Sequence, residues 1–72
     1  MYDKIENQDM RAELLRVCDA IKEEGYDPVV QLSGYILSED PIYIPNTYDA
    51  RKIVRRLDRD ELLAELIRYY LG

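Results

Sequence analysis

The 72-residue sequence contains no histidine and a single cysteine, Cys18. Without histidine, no Ser-His or Cys-His pair can form, and nucleophilic catalysis of that kind is excluded. One cysteine can neither close an internal disulfide nor build a structural zinc site. The phosphate-binding motifs GxxxxGK[ST] and GxGxxG are also missing. We therefore expect a protein that is not an enzyme and that carries no metal or cofactor.

Long apolar runs are missing as well. No stretch approaches the roughly 20 apolar residues of a membrane span, and the N-terminal MYDKIENQDMR lacks the apolar centre of a signal peptide. The net charge of −5 disfavours non-specific binding to nucleic acid or to an anionic membrane. We expect a soluble, cytoplasmic protein that does not bind membranes and for which nucleic acid is a poor partner.

The chain is short enough to form one domain, residues 1–72. A core of this size rarely supplies more than about 3–5 kcal/mol of stability, so small domains commonly add a disulfide, a metal or a second subunit. The cysteine and histidine counts leave the second subunit. Seven tyrosines with no phenylalanine or tryptophan also suit a half-solvated interface. We therefore predict that the chain oligomerises.

Apolar periodicity predicts an all-α fold, a small bundle of about four helices. The first two helices are expected at residues 9–24 and 28–38. The residues predicted to start and stop them are Asp9, Gly25, Asp27 and Pro28. Their expected core residues are Met10, Leu14, Val17, Cys18 and Ile21 in the first helix, and Val29, Leu32, Ile36 and Leu37 in the second.

The third and fourth helices are expected at residues 47–57 and 59–71. Their predicted caps are Asn46 or Thr47 for the third, and Asp58 with Glu61 for the fourth. Their expected core residues are Ala50, Ile53, Val54 and Leu57, followed by Leu62, Leu63, Leu66, Ile67 and Tyr70. The sequence leaves open whether the two helices run together or bend at Leu57 and Asp58.

An irregular crossing flanked by prolines is predicted at residues 39–46, within the stretch GYILSEDPIYIP. Pro41 disfavours helical geometry at the preceding residue, so the second helix should end there. Ile42, Tyr43 and Ile44 are expected to be extended. They either cover the core or pack on a second subunit, and they are our candidate dimer and packing residues. Gly34 would allow close approach of another helix or subunit.

Five cations lie within nine residues of this acidic chain: Arg51, Lys52, Arg55, Arg56 and Arg59. Arg51, Arg55 and Arg59 are spaced i, i+4, i+8, which on one helix makes a stripe facing away from the apolar positions. One interpretation is a solvated face paired with nearby aspartates. The other is a partner-binding strip for carboxylates or phosphates, where the guanidinium fork matters.

EEGYDPVVQLSGYILSEDPIYIP and ARKIVRRLDRDELLAELIRYYL resemble the IreB/ReoM family of small regulators of Gram-positive bacteria, over about residues 10–71. The most specific part is Asp-Pro-x-Tyr-Ile-Pro followed by Ala-Arg and Arg-Asp-Glu. The resemblance implies a helical, non-enzymatic homodimer that is a substrate of a membrane Ser/Thr kinase. It also implies control of peptidoglycan synthesis through Clp-dependent degradation of a cell-wall precursor enzyme, the UDP-N-acetylglucosamine enolpyruvyl transferase.

The functional arginines of that family fall on Arg51, Arg55 and Arg59. The chain departs from the family in two places. Asn46 stands where members usually carry an arginine, and residues 1–32 contain no serine or threonine, whereas members are phosphorylated on an N-terminal threonine. We therefore expect an adaptor whose partners are itself and Clp-protease components or a cell-wall enzyme. The alternatives are a small DNA-binding protein using the arginine helix, and a structural subunit of a larger assembly.

Overall fold

The computed structural model describes the backbone of residues 7–72 and the side chains of residues 9–72. This part of the chain is all-helical, as predicted. Its α-helices are α1 Asn7–Glu23, α2 Pro28–Ser38, α3 Ala50–Arg56 and α4 Arg59–Leu71. Two single-turn 3₁₀ helices connect α2 to α3: the Pro41 turn, Pro41–Tyr43, and the Thr47 turn, Thr47–Asp49.

Local capping chemistry sets several helix ends where the sequence predicted them. The Asp27 carboxylate accepts a hydrogen bond from the Val29 amide at 2.9 Å, and Pro28 opens α2. Gly25 follows α1 with a left-handed φ of 86°. Asp58 accepts from the first amides of α4. Asp9, by contrast, lies within the first turn of α1, because that helix begins at Asn7.

The core lies between α1, α3 and the segments that connect α2 to α3. Helix α1 packs on α3 and on the Thr47 turn, while α2 packs on the Pro41 turn and on α1. The buried apolar residues are Met10, Val17, Ala20, Ile21, Ile44, Ala50, Ile53, Val54, Leu57 and Leu62. The apolar stripe predicted for the third helix is therefore buried throughout.

Helices α2 and α4 bury less than their periodicity predicted. In α2, Leu32 and Ile36 pack against the core, but Val29 and Leu37 are exposed. In α4 only Leu62 is buried, so the prediction was wrong for Leu63, Leu66, Ile67 and Tyr70, all of which are exposed. The reason is a bend: Leu57 is extended, with φ −83° and ψ 135°, and α4 has only sparse contacts with the other helices.

The crossing at residues 39–46 covers the core, but not as an extended strand. Residues 41–43 form the Pro41 turn. Of the three residues expected to be extended, only Ile44 is, and its side chain is fully buried. The Tyr43 ring lies over Gly34, where an added Cβ would come within 2.6 Å of the Tyr43 Cε1 atom. Gly34 thus permits a close approach, as predicted, and the approaching group is an aromatic ring of the same chain.

The third helix begins at Ala50 and not at residue 47, because the preceding turn interrupts it. Tyr48 and Asp49 both adopt left-handed geometry, with φ of 55° and 59°. Each costs about 1–2 kcal/mol for a residue with a Cβ, so tertiary packing must hold them there. Neither Asn46 nor Asp49 caps through its side chain, and the Thr47 hydroxyl is bonded elsewhere.

Cys18 lies on α1 at the edge of the core and is half-buried. Burial raises the pKa of its thiol, and nearby Asp19 adds to this, whereas Lys22 acts in the opposite direction. A thiol is a weaker nucleophile than a thiolate. Partial burial and the raised pKa therefore both disfavour a reactive thiolate at Cys18.

Gly34→Ala should change stability with a sign that depends on Tyr43. In the wild-type background we expect destabilisation, because overpacking costs about 1–3 kcal/mol and exceeds the roughly 1 kcal/mol helix preference for alanine. In a Tyr43→Ala background the ring is gone, and the same change should stabilise. Urea unfolding of the wild type, the two single variants and the double variant measures both effects. Equal shifts in the two backgrounds would show that the ring contact does not limit this position.

Cys18 should react slowly with iodoacetamide at pH 8 in the folded protein. The raised pKa lowers the thiolate fraction at that pH, and packing restricts access to sulfur. In urea the same thiol should regain the reactivity of an ordinary cysteine. Mass spectrometry of the alkylated chain over time gives both rates. Equal rates in buffer and urea would contradict the packing role.

Candidate functional site

Helix α3 separates an apolar face from a charged one. Ala50, Ile53 and Val54 are buried against the core, while Lys52 and Arg55 are exposed. This follows from the advance of about 100° per residue along an α-helix. Within the described residues, neither the Lys52 nor the Arg55 side chain makes a hydrogen bond or ion pair. We call these two side chains and the helical surface between them the α3 cationic face.

Arg51 is half-buried and forms a hydrogen bond within its own chain. Its Nε atom donates a hydrogen bond to the Ile44 carbonyl at 2.7 Å. The Ile44 side chain is completely buried in a segment without regular helical hydrogen bonds, so its carbonyl needs a donor that water cannot easily supply. The contact closes the loop from residue 44 to residue 51.

Arg59 is the first residue of α4 and also bonds within the chain. Its Nη1 atom donates to the Ile36 carbonyl at 2.5 Å, and its Nη2 atom lies 2.9 Å from Glu39 Oε2. Ile36 is in the last turn of α2, where carbonyls have no helical partner. Arg59 therefore ties the end of α2 to the start of α4.

The three arginines do not form a single helical stripe. The bend at Leu57 places Arg59 on a different helix from Arg51 and Arg55, which invalidates the i, i+4, i+8 geometry. Arg55 is exposed as predicted, whereas Arg51 and Arg59 are half-buried and bonded to backbone carbonyls. Sequence reasoning missed this because a periodic spacing carries no information about tertiary acceptors.

The three candidate packing residues, Ile42, Tyr43 and Ile44, differ in how deeply they are buried. Ile44 packs in the core of its own chain, and Tyr43 packs on Gly34 with 37 % of its surface exposed. Ile42 is 73 % exposed, so it alone of the three offers most of its side chain to a second molecule. The Tyr43 carbonyl accepts a hydrogen bond from the Gln31 side chain at 3.1 Å, which fixes the crossing on α2.

An apolar groove lies between α1 and α4. Its volume is about 350 Å³, and its lining residues are Met10, Arg11, Leu14, Leu62, Glu65, Leu66 and Tyr69. Next to it, α4 presents further apolar side chains to solvent, among them Leu63, Ile67 and Tyr70. We call these three residues the outer face of α4. The sequence contained the signal: the apolar residues of α4 span more of the helix than one small core can cover.

No helix within residues 7–72 combines the length and apolarity needed to cross a membrane. The same part of the chain contains no group of three or more acidic or cysteine side chains arranged to hold a metal ion. The geometry that remains is a cationic face on α3 and an apolar face on α4, both of which are chemically suited to binding.

Comparison with protein families identifies the family of the chain. A family model described as "IreB regulatory phosphoprotein" matches residues 1–72. The match covers the crossing with its Asp-Pro-x-Tyr-Ile-Pro motif and the arginine-rich α3 and α4, which carried the resemblance seen in the sequence. A regulatory role follows from the family, and the chain belongs to the IreB family of regulatory phosphoproteins.

Proposed function

We propose that this protein is a non-enzymatic adaptor that binds a protein partner through the α3 cationic face. The observation that carries the proposal is the unequal use of the arginines. Arg51 and Arg59 bond to carbonyls of their own chain, while Arg55 is exposed and has no partner within residues 7–72. Arg55 is therefore the main contact residue, and Lys52 lies beside it on the same helix.

The chemistry of the face favours a partner that presents carboxylates. An arginine can bind a carboxylate through two parallel hydrogen bonds, which gives both affinity and orientation. The rest of the chain is acidic, with a net charge of −5, so it repels a uniformly anionic polymer such as DNA. The partner expected from the family resemblance is a Clp-protease component or a cell-wall precursor enzyme, recognised through a local acidic patch.

Arg51 and Arg59 are positioning residues in this proposal. Arg51 holds the loop that leads into α3, and Arg59 holds the start of α4 against the end of α2. The first contact ties the start of α3 to the segment before it, and the second ties the start of α4, just after α3, to α2. Together they set the orientation in which Arg55 is presented. Losing either arginine would weaken partner binding through the fold and not through a lost contact with the partner.

We also propose that the protein is a homodimer joined through the outer face of α4. Leu63, Ile67 and Tyr70 follow the spacing i, i+4, i+7, and each is at least 45 % exposed. A contiguous apolar helical face of this kind is a common interaction surface. A second copy is the natural occupant because the domain is small and self-association would bury apolar area that its own core leaves exposed.

Arg55→Ala should abolish partner capture without affecting stability, whereas Arg59→Ala should reduce both. Exposed positions without partners change stability by less than about 0.5 kcal/mol, and loss of a charged hydrogen bond to a carbonyl costs about 1–2 kcal/mol. A pull-down from lysate of an IreB-family host, read by mass spectrometry beside thermal melts, measures both. Arg68→Ala is the matched control, because Arg68 is an exposed arginine paired only with Glu65 across one helical turn in the described residues.

Two outcomes of this experiment would contradict the proposal. One is capture of the same Clp component or cell-wall enzyme by wild type and Arg55→Ala. The other is a large fall in melting temperature for Arg55→Ala, which would make that arginine structural. Arg55→Lys adds a test of the fork: it keeps the charge and should retain only part of the binding.

Ile67→Glu should convert the dimer to a monomer. A buried carboxylate in an apolar interface without a partner is strongly unfavourable. Light scattering at micromolar concentration should give twice the chain mass of 8.5 kDa for wild type and one chain mass for the variant. Leu15→Glu on α1 is the matched control, because Leu15 is 52 % exposed and Ile67 is 49 % exposed. A wild-type mass of one chain, or dissociation by both substitutions, would contradict the assignment of the outer face.

A further inference from the structure

The 72 residues contain three aliphatic hydroxyls: Ser33, Ser38 and Thr47. The family is one of regulatory phosphoproteins, yet residues 1–32 contain no serine or threonine. If this chain is controlled by a Ser/Thr kinase, the phosphate must be carried by one of these three side chains. Their structural surroundings differ, and the differences indicate which of the three is the suitable phosphate acceptor.

Ser33 and Ser38 both lie in α2. Ser33 is inside the helix, so a kinase that binds its substrate in an extended form would have to unwind α2 to reach it. The Ser38 hydroxyl donates to the Gly34 carbonyl at 2.7 Å and accepts from the Asp40 amide at 3.1 Å. A phosphate at the C-terminal end of a helix, beside Glu39 and Asp40, meets the negative end of the helix dipole and two like charges. Neither serine is a suitable acceptor.

Thr47 has different surroundings. It begins the short Thr47 turn, which follows the non-helical residues Pro45 and Asn46 and contains two left-handed residues, Tyr48 and Asp49. Its hydroxyl does not cap α3. It donates instead to Glu24 Oε2 at 2.5 Å, across to the chain just beyond the end of α1. Thr47 is half-buried, and this bond joins the turn to the residue that follows α1. The turn itself also packs on α1.

We propose that Thr47 is a phosphorylation site and that its phosphate releases the Thr47 turn from α1. In the reaction, a protein kinase transfers the terminal phosphoryl group of a nucleoside triphosphate. The Thr47 Oγ1 atom forms a bond to that phosphorus, the bond from phosphorus to the nucleoside diphosphate oxygen breaks, and the hydroxyl proton passes to a base of the kinase. The product is a phosphothreonine and a nucleoside diphosphate.

The phosphate reverses the interaction with Glu24. The hydroxyl hydrogen that Thr47 donates to Glu24 in a hydrogen bond would be lost, and close to two negative charges would take its place beside a carboxylate. The turn also holds Tyr48 and Asp49 in left-handed geometry, a conformation that its packing must maintain. Repulsion at Glu24 and relaxation of these two residues therefore act in the same direction, away from α1.

Release of the turn would directly change the position of the α3 cationic face. Asp49 is followed at once by α3, and the Arg51 bond to the Ile44 carbonyl closes the loop that has Thr47 inside it. A displaced turn changes how α3, with Arg55, is held on α1. This inference rests on the proposed function in one respect: the surface being regulated is the α3 cationic face.

The first test locates the phosphate on the native chain. The protein is purified from its host with phosphatase inhibitors and cut after glutamate, which separates residues 25–39, containing both serines, from residues 40–61, in which Thr47 is the only serine or threonine. Fragmentation should place the phosphate on Thr47, and a Thr47→Val variant expressed in the same host should lack it. Phosphate on residues 25–39, phosphate on tyrosine, or an unphosphorylated chain would each overturn the inference.

The second test measures the effect of the phosphate on the fold. Phosphothreonine is installed at position 47 of the full chain, in wild-type and Glu24→Gln backgrounds, with Thr47→Val as the variant that loses only the hydroxyl. We expect phosphorylation to lower Tm by about 4–8 °C and to speed amide hydrogen exchange across Ala50–Arg56, with smaller effects in the Glu24→Gln background. Unchanged Tm and exchange, or equal effects in both backgrounds, would overturn the release mechanism.

These outcomes stay distinct from those of the adaptor proposal. Partner capture by unphosphorylated wild type and its loss in Arg55→Ala test the cationic face without involving Thr47. A chain that captures its partner through Arg55 but carries no phosphate on Thr47 would keep the proposed function and lose the switch. A chain phosphorylated on Thr47 that captures nothing would do the opposite.

Discussion

Ile44 is buried although it lies in a segment that is not α-helical, and the rest of this small structure depends on this constraint. Its side chain is fully enclosed, yet the backbone around it belongs to no α-helix. A carbonyl in that position must find a donor within the protein, and Arg51 supplies one at 2.7 Å. The crossing therefore acts as a structural layer between α2 and α3, and the start of α3 is fixed by the arginine that serves it.

Arg59 repeats the same solution at the other side of α3. It satisfies the Ile36 carbonyl near the end of α2 and pairs with Glu39, the left-handed residue that ends that helix. Hydrogen bonds from a charged donor are worth about 1.5–3 kcal/mol when shielded, and less at a half-exposed site. In a domain of this size without a disulfide, two such contacts are a substantial part of the stability. This contribution to stability explains why two arginines of an acidic chain bond to groups of their own chain.

The parts of the fold that could be predicted from the sequence are those governed by local chemistry. Asp27 with Pro28 begins α2, Asp58 begins α4, and Gly25 ends α1, because each depends on the backbone groups next to it. The left-handed pair Tyr48 and Asp49 could not be predicted, since packing against α1 overrides the preference of both residues. Nor could the exposure of α4, because apolar periodicity shows which residues avoid water and not what covers them.

The candidate site was predicted in composition but not in geometry, and the difference changes its meaning. Five cations cluster in the sequence, and three of them form the predicted strip, whereas in the structure Arg51 and Arg59 bond to carbonyls of the same chain. In the proposed function, what remains for a partner is a small face around Arg55 on a protein whose net charge is −5. Such a face cannot act by bulk electrostatic attraction. Under that proposal, a partner must bring a few carboxylates to one place and must tolerate the acidic surroundings. The negative background would then reject other anionic molecules, while the arginine would orient the correct partner.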